Sequence, residues 1–259
     1  DKNGKPSRGI LMLDELSSCP PLTQASAYQL TLDRRISEYE LPDGWYIVAA
    51  GNRIQDRAVV YRMSSALANR FWHITFESNI DDWIEWAYGA LIDPNIIGFV
   101  RWRSELLCPE YNAESSEKAF PTPRTWEFAS RLLGLMPKSL VPEALEGTIG
   151  RGATGEFMAF LKVQTELPDP MDILNKGSDF VPSRIDLRYA LVSVLASRAK
   201  GTKHYERMLQ YSDKLPAEFG ILLISMLLYK DGGAMALAPS FEKWAKNHKG
   251  LVMPRRLIN

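Results

Sequence analysis

The stretch GILMLDEL, residues 9–16, decides the fold. A short, wholly apolar run after a glycine is what a strand buried on both faces of a parallel sheet requires, because helices cover both faces of such a sheet. The run drives straight into two adjacent carboxylates, Asp14 and Glu15. Charges at the end of a buried strand are costly unless something uses them.

Working outward, PPLTQASAYQLTLDRR (20–35) opens on two prolines and places Leu22, Ala25, Tyr28 or Gln29, and Leu32 at helical spacing. The turn LPDG (41–44) then sets up a second apolar run, WYIVAAGN (45–52). Strand, helix, strand is the order of a parallel α/β sheet. SSALANRFWHITF reads as a short helix and a third strand, Trp72 to Phe76. Beyond it the pattern is helical: IDDWIEWAYGALI, PNIIGFVRWRSELLC, TPRTWEFASRLLGLM and TGEFMAFLKVQ all read as amphipathic helices. The first of these carries Asp81 and Asp82 at its N-terminal end, where the helix dipole favours them. The proline-bearing TELPDPMDIL (165–174) marks a boundary, and SRIDLRYALVSVLASRAK and AEFGILLISMLLYK are helical again.

Composition narrows the function classes. The 259 residues are 46% hydrophobic and 24% charged, as in a globular protein. Lys plus Arg and Asp plus Glu number 31 each, so no overall basic field points to nucleic acid. Cys19 and Cys108, far apart, form neither a disulfide framework nor a metal pattern, which points to a reducing compartment. Apolar runs such as FGILLISMLLY (219–229) fall short of the ~20 residues of a bilayer span, so no membrane is expected. His73, His204 and His248 are too scattered for a metal site. Trp83, Trp86, Trp102 and Trp126 fall where helix cores need them, and the basic KWAKNHKG and PRRLIN read as a solvated end.

Carboxylates at the C-terminal edge of a parallel strand lie where open α/β sheets bind their ligands. Aliphatics followed by Asp14-Glu15 resemble a Walker B motif, in which the Asp holds Mg²⁺ and the Glu polarises the attacking water. AAGN ends the next strand in Asn52, which resembles the sensor 1 of AAA+ ATPases. In SSALANRF, Arg70 matches the Leu-x-x-Arg-Phe stretch of MoxR-type AAA+ proteins, whose Arg is the finger that reaches a neighbouring subunit's nucleotide; Arg62 and Arg57 are alternatives for that part. PTPRTWEF (121–128) resembles the Ser-Pro-Arg opening of the sensor 2 helix, with Thr122 in place of Ser and Arg124 as the sensor. The ordered set of four, covering residues 9 to about 165, resembles the bacterial and phage MoxR-like ATPases.

The resemblance implies an α/β P-loop NTPase fold: the remainder of a parallel-sheet AAA+ core over 1–78, an all-helical lid over 79–168 and a helical extension over 169–259. It implies Mg²⁺ held by Asp14 through water, Glu15 as base, Asn52 as sensor, Arg124 on the nucleotide in cis and Arg70 in trans. The ligands would be ATP and Mg²⁺, and the assembly a cytoplasmic hexameric ring remodelling a protein client, with a partner bearing a von Willebrand factor A domain. A Walker A motif, G-x-x-x-x-G-K-[ST], is absent; NGKPS (3–7) is a near miss with Pro6 at the hydroxyl position. The expectation is therefore a C-terminal portion that alone binds ATP poorly or not at all. GRGATG (150–155) matches G-x-G-x-x-G but follows LVPEALEGTI, which reads as helix and turn, so a loop between lid helices is expected. Two other classes compete: a non-catalytic assembly module that keeps the fold, and a helicase-like motor, for which no basic insert is visible.

Overall fold

The structure, a computed structural model, describes residues 8–52, 61–109 and 117–248. Arg57, the NGKPS stretch and the PRRLIN tail lie outside the described residues. Two compact units divide the chain between Phe76 and Glu77.

The first unit runs β1 (Gly9–Leu13), α1 (Pro21–Asp33), β2 (Arg35–Ile36), β3 (Tyr39–Glu40), β4 (Trp45–Ala49) and α2 (Ser65–Ala68). β1 and β4 pair in parallel, from Gly9 opposite Trp45 to Leu13 opposite Ala49. Strand, helix and parallel strand thus occur where the apolar runs and Pro20-Pro21 place them. The LPDG turn leads into β4, with Trp45 N–H donating to Pro42 O at 3.4 Å.

Four details differ from expectation. The sheet is covered on one face only: Leu11, Leu13, Ile47 and Ala49 turn inward, while Ile10, Met12, Tyr46 and Val48 form an exposed apolar face. No described residue of this unit packs over that face, so alternate residues of each strand are left in solvent. α1 buries Gln24, Ala27 and Leu30 rather than the Leu22, Ala25 and Leu32 stripe. The reason is the size of what it packs on, a small cluster of Leu16, Ala27 and Leu67 with Leu13, Tyr28, Ala49 and Phe71 at its margin. Residues 72–76 form no strand, with no ladder partner beside them among the described residues; Trp72 is 90% and Phe76 95% exposed. The hairpin of β2 and β3, with Arg35 opposite Glu40, was not anticipated.

The second unit is helical: α3 (Ile80–Gly89), α4 (Pro94–Trp102), α5 (Pro123–Leu135), α6 (Val141–Ile149), α7 (Arg151–Val163), α8 (Pro170–Lys176), α9 (Ile185–Arg198), α10 (Gly201–Ser212), α11 (Ala217–Ala236) and α12 (Phe241–Asn247). Asn79 caps α3 by accepting from the N–H groups of Asp81 and Asp82, at 2.8 and 3.2 Å, which places both acids in the favoured first turn. Helices from both sides of the 165–174 stretch share one core: Phe99, Trp126 and Phe157 lie in the same cluster as Leu191, Tyr205 and Phe219. GRGATG is not a loop: Gly150 alone joins α6 to α7, and Arg151 to Gly155 form the first turns of α7. With a helix before it and no strand, the motif has no dinucleotide-binding context. α11 is long and apolar enough, by length and composition, to cross a membrane; half of it is buried in this core, and Asp231 interrupts it with φ −160°.

The tightest crossing in the core is that of α4 on α9. A Cβ added at Gly98 would collide with Ser193 Oγ and sit 3.3 Å from both Ser193 Cβ and the Tyr189 carbonyl oxygen. Ser193 is fully buried, with Oγ donating to Tyr189 O at 2.8 Å, so it has no free direction in which to move. Gly98→Ala is expected to destabilise the chain by about 1–3 kcal/mol, and Ser193→Ala in the same chain to recover much of that loss. Urea denaturation of the two single variants and the double variant checks this; additive losses would contradict the contact.

Candidate functional site

The C-terminal ends of β1 and β4 stand side by side, and the chain turns sharply at both. Ala50 N–H donates to Leu13 O at 3.0 Å, and Leu16 N–H returns a bond to Ala50 O at 2.9 Å, which ties the two turns together. Between those bonds Asp14 and Glu15 are extruded to the surface. Glu15 has φ 54° and ψ 34°, a left-handed conformation that costs a non-glycine residue about 1 kcal/mol. Its N–H donates to Asp14 Oδ1 at 3.1 Å.

The turn aims the Glu15 carboxylate at the neighbouring strand end. Glu15 Oε2 accepts from Asn52 Nδ2 at 3.2 Å and from Ser18 Oγ at 2.9 Å. Two residues read separately as base and sensor, 37 positions apart in sequence, therefore touch. Asp14, Glu15 and Asn52 are all exposed, and among the described residues no Lys or Arg pairs with either carboxylate. An anionic edge of this kind, with an amide donor beside it, can orient a water molecule and help hold a hydrated divalent cation. No group of three or more His, Cys, Asp or Glu able to cage a metal occurs among the described residues.

Gly51 and Ser17, which sequence reading passed over, set this geometry. Ser17 is buried, its Oγ has no hydrogen-bond partner among the described residues, and it packs against Gly51 so closely that a Cβ there would collide with Oγ and lie 2.9 Å from Ser17 Cβ. The clue in the sequence is the glycine at the last position before Asn52, where a strand end must bring a side chain back toward its neighbour. Gly51→Ala is expected to separate Asn52 from Glu15 and to destabilise the chain by about 1–3 kcal/mol, with Ser17→Gly restoring both. Thermal denaturation of the single and paired variants tests the contact.

The arginines stand elsewhere. Arg70 follows α2, donates from Nη1 to Ala66 O, and lies over the Tyr28 ring at 5.6 Å from its centroid. Tyr28 OH is in turn hydrogen-bonded to Ser64 Oγ, the N-cap of α2. Arg70 lines a cleft of about 400 Å³ with Arg34, Gly44 and Trp45, at the N-terminal end of β4. Asp14 lies past the opposite end of the strand pair. Arg62 is exposed.

Arg124, in the second unit, occupies the second position of α5, directly after Pro123, where Thr122 and Thr125 form a reciprocal cap. It is exposed and has no hydrogen-bond or ion-pair partner among the described residues. A cation at a helix N-terminus opposes the macrodipole, so the placement is unfavourable unless an anion answers it. Of the histidines, His73 bonds Ala68 O at 2.8 Å, His204 bonds Asn175 Oδ1 at 2.9 Å, and His248 stacks on Trp244 at 4.2 Å. Each has a structural partner.

A scan against protein-family models finds none that matches this sequence, and neither the curated proteins nor the solved structures yield a match.

Proposed function

We propose that this chain is the Walker B to C-terminal portion of an oligomeric MoxR-type AAA+ ATPase, a cytoplasmic ring that hydrolyses ATP to remodel a protein client. The observation that carries the reading is the contact of Asn52 with Glu15, beside Asp14, at the shared C-terminal edge of two parallel strands. The reading requires that contact, and strand alternation alone does not produce it.

On this reading Asp14 holds the waters of Mg²⁺, and Mg²⁺ with ATP supplies the transferable phosphoryl group and neutralises its charge. Glu15 takes the proton of the attacking water at Oε1 or Oε2. Asn52 holds that carboxylate in place and donates to the water or to a phosphate oxygen. Arg70, exposed after α2, is assigned to a neighbouring copy's nucleotide by the resemblance. Arg124 is assigned to the nucleotide by the resemblance, with its unpaired position at a helix N-terminus in support. The exposed face of Ile10, Met12, Tyr46 and Val48, and the unpartnered Trp72, Ile74 and Phe76, suit a sheet continued by further elements. Those elements would include the phosphate-binding Walker A loop, which is not in these 259 residues. A partner bearing a von Willebrand factor A domain, a hexameric state and the client are proposals of the resemblance alone.

The experiment is steady-state phosphate release by the full-length protein, with Arg70→Ala, Glu15→Gln and an equimolar mixture of the two. Loss in each variant with partial recovery on mixing is the expected result. No hydrolysis by the intact protein would favour the non-catalytic assembly module.

A further inference from the structure

We propose that the cleft at the N-terminal end of β4 is a two-arginine receptor for a phosphoryl oxyanion, with Arg34 as the second guanidinium beside Arg70. The inference deepens the reading of Arg70 as a residue acting in trans, and rests on that reading only for the source of the phosphoryl group, the nucleotide of a second copy. No Asp or Glu lines the cleft, and among the described residues neither arginine has a carboxylate partner.

Both side chains are anchored by backbone carbonyls, which fix position without neutralising charge. Arg34 Nη2 donates to Pro42 O at 3.0 Å and to Trp45 O at 2.9 Å, leaving Nε and Nη1 unspent; Arg70 gives Nη1 to Ala66 O and rests on Tyr28. Arg34 is also held in a left-handed conformation, φ 55°, at the C-cap of α1, where glycine is the usual residue. Two positive charges line one cleft whose lining holds no carboxylate, so an anion is favoured there. Planar forks with free N–H groups match phosphoryl oxygens, so a multivalent phosphate fits better than a single carboxylate.

The test is isothermal titration of the 259-residue chain with inorganic pyrophosphate, and with acetate at equal ionic strength. Arg34→Ala and Arg70→Ala are run beside Arg151→Ala, an exposed charge of the second unit paired with Glu146. Expected is pyrophosphate binding that weakens roughly tenfold or more in each cleft variant, is unchanged in Arg151→Ala, and is not matched by acetate. Equal binding to an Arg34→Ala/Arg70→Ala double variant, acetate binding as well as pyrophosphate, or no binding at all would overturn the proposal. Phosphate release by full-length Arg34→Ala separates the two readings. Normal hydrolysis with pyrophosphate binding absent leaves the ATPase reading standing without the cleft. Pyrophosphate bound through both arginines in a protein without hydrolysis leaves the cleft standing without the ATPase.

Discussion

On the proposed ATPase reading, replacing Glu15 by Gln is expected to lower ATP hydrolysis by the full-length protein roughly 10²–10⁴-fold, the usual contribution of a positioned general base, while leaving the fold intact. The separation of the two effects follows from the geometry. Glu15 Oε2 only accepts hydrogen bonds, from Asn52 Nδ2 and Ser18 Oγ, and the Gln amide oxygen accepts the same two. The left-handed backbone at residue 15 is no worse for Gln than for Glu. What is lost is the capacity to take a proton. ATP should therefore remain bound and unhydrolysed, seen as retained nucleotide without phosphate release. Asp14→Asn differs, because a neutral amide is a poor ligand for the waters of Mg²⁺; its defect should ease as Mg²⁺ is raised, whereas that of Glu15→Gln should not. Ser18→Ala and Asn52→Ala, each removing one of the two bonds that aim the carboxylate, should give partial losses. An unchanged rate in Glu15→Gln would end the ATPase reading, whatever the other variants did.

The parts of this site that are legible in sequence are those in which one residue type and one neighbour carry the information. Asp14 and Glu15 stand out because an apolar run ending in paired carboxylates fits a strand that reaches a sheet edge, and Asn52 because it closes the next apolar run in the same way. Arg34 was invisible because its position depends on the turn at Pro42 and the start of β4, which no local pattern reports. Gly51 with Ser17 was invisible for the same reason, being a contact between two turns 34 residues apart. Helices α3 to α7, α9 and α11 were legible through their periodicity and caps; α8 and α10 were not, and α12 lies where the basic KWAKNHKG reads as a solvated end, yet it buries Trp244 in the core. The face of α1 was not, since tertiary packing chose Gln24, Ala27 and Leu30 over a more apolar stripe. At Trp72, Ile74 and Phe76 the alternation is that of a strand, but a strand also needs a neighbour to bond, and sequence alternation says nothing of whether one is present.

The largest effect on stability should come from Trp126→Ala, at about 3–5 kcal/mol. Trp126 is fully buried at the centre of an aromatic group, with Phe99 and Phe157 at ring-centroid distances of 5.6 and 5.8 Å. Phe99 in turn meets Phe157 edge-on at 5.2 Å, so removing the indole strips contacts from a pair that cannot close the gap by itself. A second cost adds to the cavity. Trp126 Nε1 donates to Leu106 O at 2.7 Å, and without it that carbonyl, in the short helical turn after α4, loses its side-chain partner. Trp126→Phe helps separate the two contributions, since it keeps much of the apolar volume while removing the donor; it should cost about 1–3 kcal/mol, from the orphaned carbonyl and a smaller cavity. Urea denaturation followed by far-ultraviolet circular dichroism measures both. A loss under about 1 kcal/mol for Trp126→Ala would mean that the second unit does not close its core around this ring. Because α5 also presents Arg124, the Phe variant carries a further use on the proposed ATPase reading: its helix should keep its cap, with Thr122 and Thr125 untouched, so a change in nucleotide handling without a change in helix content would report on how the core positions that arginine.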